Sequence, residues 1–370
     1  MAQLNLKKEI ELGLKYPKTA KNVVLDKYFY QNKATPFPRL INCFITERCN
    51  FNCPMCHVAT SRFKNLTELS FSDLKDFFDS IATYSPSVSL AGGEPLMHPE
   101  IIKIIKYLDR KKIVKGLVTN GMLLDIMAQD LIDSGLDFLA VSLDGPDEAT
   151  QYQRGLIKGS FSQIIKGIKK VIKLRGNNSF PNIRVATVIS KANIDNFDKI
   201  YEIIKDLNID EWSISHHFYY YDEIQKQQSK LAKKYNFGND VWGEYNGKNK
   251  IFFDKQERDT ISKKLMDIKS LLKNNTNKIK ITLPNTMDVN NFYTGAIPSK
   301  ESTCSSPFNQ IFLRGTGDIE MCHGYILGNI KNQSLKDIWN NQKTIKFQKY
   351  IQKNKLIPAC FRCCSLNPIF

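Results

Sequence analysis

The sequence predicts an α/β fold built on a parallel sheet, followed by a small α+β unit rich in cysteine. Three observations carry this reading. Six short apolar runs alternate with helix-patterned segments between residues 40 and 217. Cys49, Cys53 and Cys56 follow the first of those runs at the spacing C-x3-C-x2-C. A second set, Cys304, Cys322, Cys360 and Cys363, is confined to the C-terminal part.

The predicted strands lie at 40–46, 87–93, 116–121, 138–145, 183–190 and 211–217. Each is a short run carrying apolar and β-branched residues. The predicted helices lie at 70–81, 98–112, 125–135, 161–174 and 196–208, where apolar residues recur at three- and four-residue intervals. Ser70 or Ser72 is the expected N-cap of the first of them. Strands separated by helices must cross over and pair in parallel. Chemistry in such folds sits at the carboxyl ends of the strands, where the cysteine run falls.

The chain has 370 residues, 42% of them hydrophobic, enough for one large domain and a smaller one. No stretch approaches eighteen apolar residues, so no membrane partner is expected. The opening MAQLNLKKEIELGLKYPKTAKNVV lacks an apolar export core, and a cytoplasmic location is the expectation. In that compartment nine cysteines read as metal ligands rather than disulfides. The formal net charge of +16 fits an anionic substrate or a Lys- and Asn-rich solvated surface. No nucleic-acid module accompanies it, so nucleic acid is not an expected partner.

Cys49, Cys53 and Cys56 bring three thiolates from one loop to one point. Three ligands hold three irons of a four-iron cube and leave the fourth open for a small molecule. Two rivals share the residues. Cys53 to His57 also reads C-x-x-C-H, the haem-attachment motif, which needs an exported context. A zinc site from the three cysteines and His57 would draw every ligand from one cramped loop.

Further motifs follow on the next strand ends: Gly92-Gly93-Glu94-Pro95, Thr119-Asn120-Gly121, and Ser142-Leu143-Asp144-Gly145 with Arg154 beyond. Together with the cysteine triplet they resemble the radical S-adenosylmethionine (SAM) superfamily. The resemblance implies a partial (β/α)6 TIM-like barrel with a small C-terminal α+β auxiliary-cluster domain. It implies a [4Fe–4S] cluster on Cys49, Cys53 and Cys56, with SAM on its open iron. It implies that Gly92, Gly93, Glu94 and Pro95 receive the SAM ammonium, where glycine permits close backbone approach. Asn120, Ser142, Asp144 and Arg154 are the other expected SAM contacts. Arg154 suits the SAM carboxylate, which a guanidinium can grip bidentately.

In the C-terminal part, QIFLRGTGDIEMC reads as a hairpin turning at Gly315-Thr316-Gly317-Asp318. Four cysteines at two knuckles suit structural zinc on spacing. Their order, and the run HGYILGNIKNQSLKDIWN, resemble the auxiliary-cluster extension of radical SAM enzymes, called SPASM with two clusters and twitch with one. Too few cysteines remain for two further cubes, so the expectation is one auxiliary [4Fe–4S] cluster on Cys304, Cys322, Cys360 and Cys363. Two clusters are expected in all. Cys364 is either a spare thiol or a hydrogen donor to a substrate radical. Cys43 reads as a small buried hydrophobe.

The expected organisation is a helical extension at 1–39, the barrel at 40–217, a bridging segment at 218–300 on the active-site face, and the auxiliary domain at 301–370. His216, His217, Tyr219 and Tyr220 are candidate substrate contacts at the start of the bridge. The resemblance implies reductive cleavage of SAM to a 5′-deoxyadenosyl radical that takes hydrogen from a substrate. It further implies a flavodoxin- or ferredoxin-type electron donor. The preferred substrate is a small sugar-like molecule, oxidised or epimerised. A peptide maturase is the alternative enzyme, and an iron–sulfur binding or sensing protein the non-enzymatic alternative.

Overall fold

The computed structural model describes residues 4–30, 34–56, 67–217, 222–237, 252–273, 279–284, 288–294, 304–322 and 324–363. Two helices, α1 (Leu6–Lys15) and α2 (Pro17–Phe29), open it. The alternation follows: β1 (Leu40–Thr46), α3 (Phe71–Ile81), β2 (Ser87–Gly92), α4 (Ile101–Arg110), β3 (Val114–Thr119), α5 (Leu124–Asp133), β4 (Phe138–Ser142), α6 (Glu148–Gly155), α7 (Ser160–Arg175), β5 (Asn182–Val188), α8 (Phe197–Asp206) and β6 (Glu211–Ser215). Each strand from β1 to β6 pairs in parallel with the next in chain order. The crossover pattern read from the sequence is therefore the architecture.

Local chemistry explains the boundaries. Ser70 caps α3: its hydroxyl accepts from Asp73 N at 3.1 Å while the Asp73 carboxylate accepts from Ser70 N at 3.1 Å. In β1 every second side chain, Ile41, Cys43 and Ile45, is fully buried. Burial also pushes the Cys43 thiol up, as expected of a small core hydrophobe. Helix α4 buries Ile101, Ile104, Ile105 and Leu108 along one face.

The sheet is wider than the sequence suggests. After α9 (Asp222–Tyr235) and α10 (Lys255–Lys273), β7 (Lys280–Thr282) adds in parallel to β6. It then continues past α11 (Val289–Thr294) and α12 (Ser306–Asn309) into β8 (Gln310–Leu313), which pairs in parallel with β1. Antiparallel β9 (Asp318–Met321) and β10 (Tyr325–Asn329) complete an open ten-stranded sheet, and α13 (Leu335–Trp339) and α14 (Gln342–Asn354) follow. The expected hairpin thus forms, with Gly317 at φ +91° in its turn. The auxiliary unit is continuous with the barrel sheet rather than merely appended to it.

Helices α1 and α2 brace the amino ends of the strands. Lys8 Nζ reaches Asp210 Oδ1 at 2.6 Å and Asn182 Oδ1 at 3.0 Å. Tyr16 Oη and Lys15 Nζ both bond Asp137, at 2.8 Å each. Lys115, whose side chain is fully buried, joins Asp137 at 3.0 Å and Asp109 at 2.7 Å. This network faces away from the carboxyl ends and leaves those ends to the site. Among the described residues no helix is long and apolar enough to cross a membrane.

Candidate active site

The loop carrying the cysteine triplet is fastened from several sides. At its stem, Glu47 N donates to Thr67 O at 3.0 Å, and Arg48 forks onto Glu68 with bonds of 3.1 and 3.0 Å. The end of β2 adds two bonds, Gly93 N to Thr46 O and Glu94 N to Arg48 O, each 2.7 Å. This contact requires glycine. A Cβ at Gly93 would stand 2.3 Å from Arg48 O, and one at Gly92, where φ is +146°, 2.3 Å from Thr46 O. Farther along, Phe51 packs on Gly155, where a Cβ would meet its ring at 2.5 Å, and Asn52 N donates to Gly155 O at 3.3 Å. His217, beyond β6, holds Met55 O through Nε2 at 3.2 Å.

Glu94 is buried and ties β2 to β3. Its carboxylate accepts from Leu96 N at 3.0 Å, Thr119 Oγ1 at 2.7 Å and Asn120 N at 2.7 Å. Burial raises its pKa, against the pull of those three donors. Asn120 in turn donates Nδ2 to Asn50 Oδ1 at 2.7 Å and to Cys49 Sγ at 3.8 Å. Phe51 N reaches the same sulfur at 3.3 Å.

The three thiols interact. Burial pushes Cys53 up to about 11; the Arg154 guanidinium pulls it down, while Cys56 and Cys49 raise it further. Arg154 is paired with the Asp144 carboxylate. Burial would lower the guanidinium's pKa, but Asp144, Cys53 and Cys56 outweigh it and hold it above its ordinary value. Its Nε is buried without a hydrogen-bond partner. Asp144 is fixed by Val188 N at 2.8 Å, and Gln151 Oε1 accepts from the backbone of both Asp144 and Gly145 at 2.9 and 3.0 Å. Ser142 is half-buried at the end of β4.

His216 and His217 are both buried. His216 stacks on Phe292 at 4.2 Å between ring centres and bonds Tyr293 Oη through Nδ1 at 3.1 Å. Tyr219, Tyr220 and Cys364 lie outside the described residues.

The second thiol group also converges. Cys322, at φ +52° just past β9, has its pKa raised by burial and then by Cys304, Cys360 and Cys363. Cys363 likewise raises Cys304 and Cys360, after burial. Among the described residues Cys43, Cys53, Cys322 and Cys360 are free thiols. No three His, Cys, Asp or Glu side chains among those residues crowd closely enough to share a single metal ion. The donors stand instead in two looser thiol groups, and soft thiolates fit iron–sulfur ligation.

Several of these contacts carry no signal in the sequence. Arg48–Glu68, Phe51 on Gly155 and the bond of His217 to Met55 O join segments 20 or more residues apart, and Gln151, which holds the Asp144 turn from seven residues away, belongs to no motif read there.

An α/β sheet carrying a three-thiol loop at its carboxyl ends defines a class of cluster-bearing enzyme. Residues 43–207 match the radical SAM superfamily and residues 304–364 match an iron–sulfur cluster-binding domain. The chain belongs to the radical SAM superfamily and is an enzyme with a C-terminal SPASM-type domain. It is 31% identical over 188 residues to AdoMet-dependent heme synthase of Methanosarcina barkeri, covering 50% of this chain and 51% of that protein. The chain thus spans about half the length of that curated relative. Streptococcus suis SuiB bound to S-adenosylmethionine shares the fold with a TM-score of 0.63 at 16% identity, over 91% of this chain and 77% of that one. SuiB bound to precursor peptide SuiA gives 0.61 at 16%, over 88% and 68%.

Proposed function

We propose that this enzyme reductively cleaves SAM and uses the resulting radical to take a hydrogen atom from a small sugar-like substrate, which it oxidises or epimerises. The observation that carries the first part is the set of three mutually interacting thiols beside a buried guanidinium whose Nε has no bond. Cys49, Cys53 and Cys56 would hold one [4Fe–4S] cluster, and Cys304, Cys322, Cys360 and Cys363 a second. When bound and reduced, the first cluster supplies the electron that splits SAM into methionine and a 5′-deoxyadenosyl radical.

The chain's own residues have separable tasks in this reading. Arg154 would grip the SAM carboxylate, oriented by Asp144 on its other side. Ser142 would offer its hydroxyl to the carboxylate or ribose. The Glu94 carboxylate already accepts three hydrogen bonds, so it can spare about one acceptor position for the ammonium. Backbone carbonyls around Gly92 to Pro95 would supply the rest. The strand ends and the segment after His217 would hold the substrate close to the radical carbon. A flavodoxin- or ferredoxin-type protein would deliver the electron.

A second reading, peptide modification, is favoured by the likeness to SuiB with its precursor peptide. Anaerobic incubation with SAM, reductant and pooled sugar-type alcohols should raise 5′-deoxyadenosine above the substrate-free level. A rise with peptides alone would replace the sugar reading by the peptide reading. Deuterium carried from D2O into product, and lost in Cys364→Ala, would assign epimerisation; unlabelled product would assign oxidation.

A further inference from the structure

We propose that Asn120 sets the reduction potential of the cluster on Cys49, Cys53 and Cys56 by donating an amide N–H to the Cys49 sulfur. This rests on the cluster reading above and assigns Asn120 a task on the ligand sphere, separate from any contact with SAM.

The geometry fixes which way the amide faces. Asn120 is buried directly after β3, with its backbone N held by Glu94 Oε2 at 2.7 Å. Its Oδ1 accepts from Met122 N at 3.0 Å. That bond turns the oxygen back onto its own turn and leaves Nδ2 facing the cysteine loop. The amide nitrogen has two hydrogens. One meets Asn50 Oδ1 at 2.7 Å, and the other has Cys49 Sγ at 3.8 Å. The side chain cannot rotate without losing Met122 N and Asn50 Oδ1 together.

The electrostatic consequence has a definite sign. One-electron reduction adds negative charge to a thiolate-ligated cluster, with no bond broken and no proton required; the electron comes from the external reductant. Hydrogen bonds to ligating sulfurs, and burial around them, are among the levers that set cluster potential. An N–H aimed at the sulfur stabilises the more negative, reduced state and raises the potential. Cys49 receives neutral N–H dipoles from Asn120 and Phe51, whereas Cys53 and Cys56 face the Arg154 charge. The loop thus shares compensation among its three ligands, and Asn120 supplies part of Cys49's share.

The test is a redox titration of the reconstituted full-length holoprotein without SAM, monitored by EPR. The relevant cluster is the one whose signal changes when SAM is added to a parallel sample. Asn120→Leu removes the donor, and Asn120→Asp keeps the shape while replacing the donor with a charge. Both should retain their iron and shift to lower potential, Asp further than Leu. The expected change is at least tenfold in the reduction equilibrium, which is about 59 mV for one electron. A purely packing role predicts instead that the isosteric Asp variant behaves as the parent, and unmoved potentials at full iron content would overturn the proposal. Should both variants lose the cluster, pulsed EPR of the parent protein with δ-15N-labelled asparagine decides. Asn50 turns its oxygen toward Asn120, so a 15N coupling on the SAM-responsive signal reports Asn120, and its absence overturns the assignment. A parent protein with iron but no SAM-responsive signal would remove the cluster reading itself, a result distinct from an unmoved potential.

Discussion

Gly93→Ala tests the join between β2 and the cysteine loop. The added Cβ would lie 2.3 Å from Arg48 O, 2.6 Å from Glu47 O and 2.7 Å from Arg48 C. An ordinary carbon–oxygen contact is about 3.3 Å, so the loop stem must retreat by about 1 Å. The obstructing atoms are backbone, so no flexible side chain can give way. The retreat stretches the bonds from Gly93 N to Thr46 O and from Glu94 N to Arg48 O. Overpacking costs about 1–3 kcal/mol and a weakened hydrogen bond about 1 kcal/mol, for a loss of about 2–4 kcal/mol. Cys49, the first proposed cluster ligand, is the next residue after Arg48 and moves with the stem. A 1 Å misplacement near the chemistry costs about 100-fold in rate. The assays are thermal melting, iron content of the reconstituted protein and the rate of 5′-deoxyadenosine formation. Gly116→Ala on β3 is the control, since its Cβ would meet Phe138 Cβ at 3.4 Å and Phe138 O at 3.8 Å, both ordinary contacts. A Gly93→Ala protein that melts, binds iron and turns over like the parent would refute the argument that this glycine serves the loop.

Two further perturbations probe other parts of the structure. Asp137→Ala strands the fully buried Lys115 ammonium with Asp109 and Tyr16, and should lower stability by about 3 kcal/mol in a denaturant titration, with α1 the first segment to gain amide exchange. Burial depresses the His217 pKa, so the neutral ring is the form the fold accepts. A depressed folded value means that its stability contribution is present above the unfolded pKa of about 6.5 and is lost as pH falls through the folded value. The melting temperature should therefore drop on acidification below about pH 6.5, and His217→Gln should flatten that part of the profile; an identical drop in the variant would assign it to other groups.

Much of this architecture was written in local patterns. The apolar runs at β1 to β6 and the helical periodicity between them are sufficient because a parallel sheet buries both faces and needs crossovers. Ser70 and the Gly317 turn were legible for the same reason: capping and turn chemistry act within a few residues. Strand β7 was not legible, because Lys280–Thr282 is too short to show a period and is defined only by its pairing with β6. The pairing of β8 with β1 joins segments some 270 residues apart, about which local propensity says nothing. In the site, cysteine spacing marked the two sets of thiols that the fold brings together, and the Gly-Gly pair marked a close approach. The approach seen here is to the backbone of Glu47 and Arg48, which spacing alone could not distinguish from approach to a ligand. Glu94, Asn120 and His217 show the same limit, since each is known by what it touches across the strand ends.

Cys49, Cys53 and Cys56 are proposed to carry the cluster that cleaves SAM. The most direct test reconstitutes the protein anaerobically, adds SAM and a strong reductant, and measures 5′-deoxyadenosine and methionine. The parent should hold about eight irons per chain and form both products in equal amounts, and the triple alanine variant at Cys49, Cys53 and Cys56 should keep about four irons and form neither. Cleavage of SAM by the triple variant, or none by an iron-replete parent, would contradict the claim.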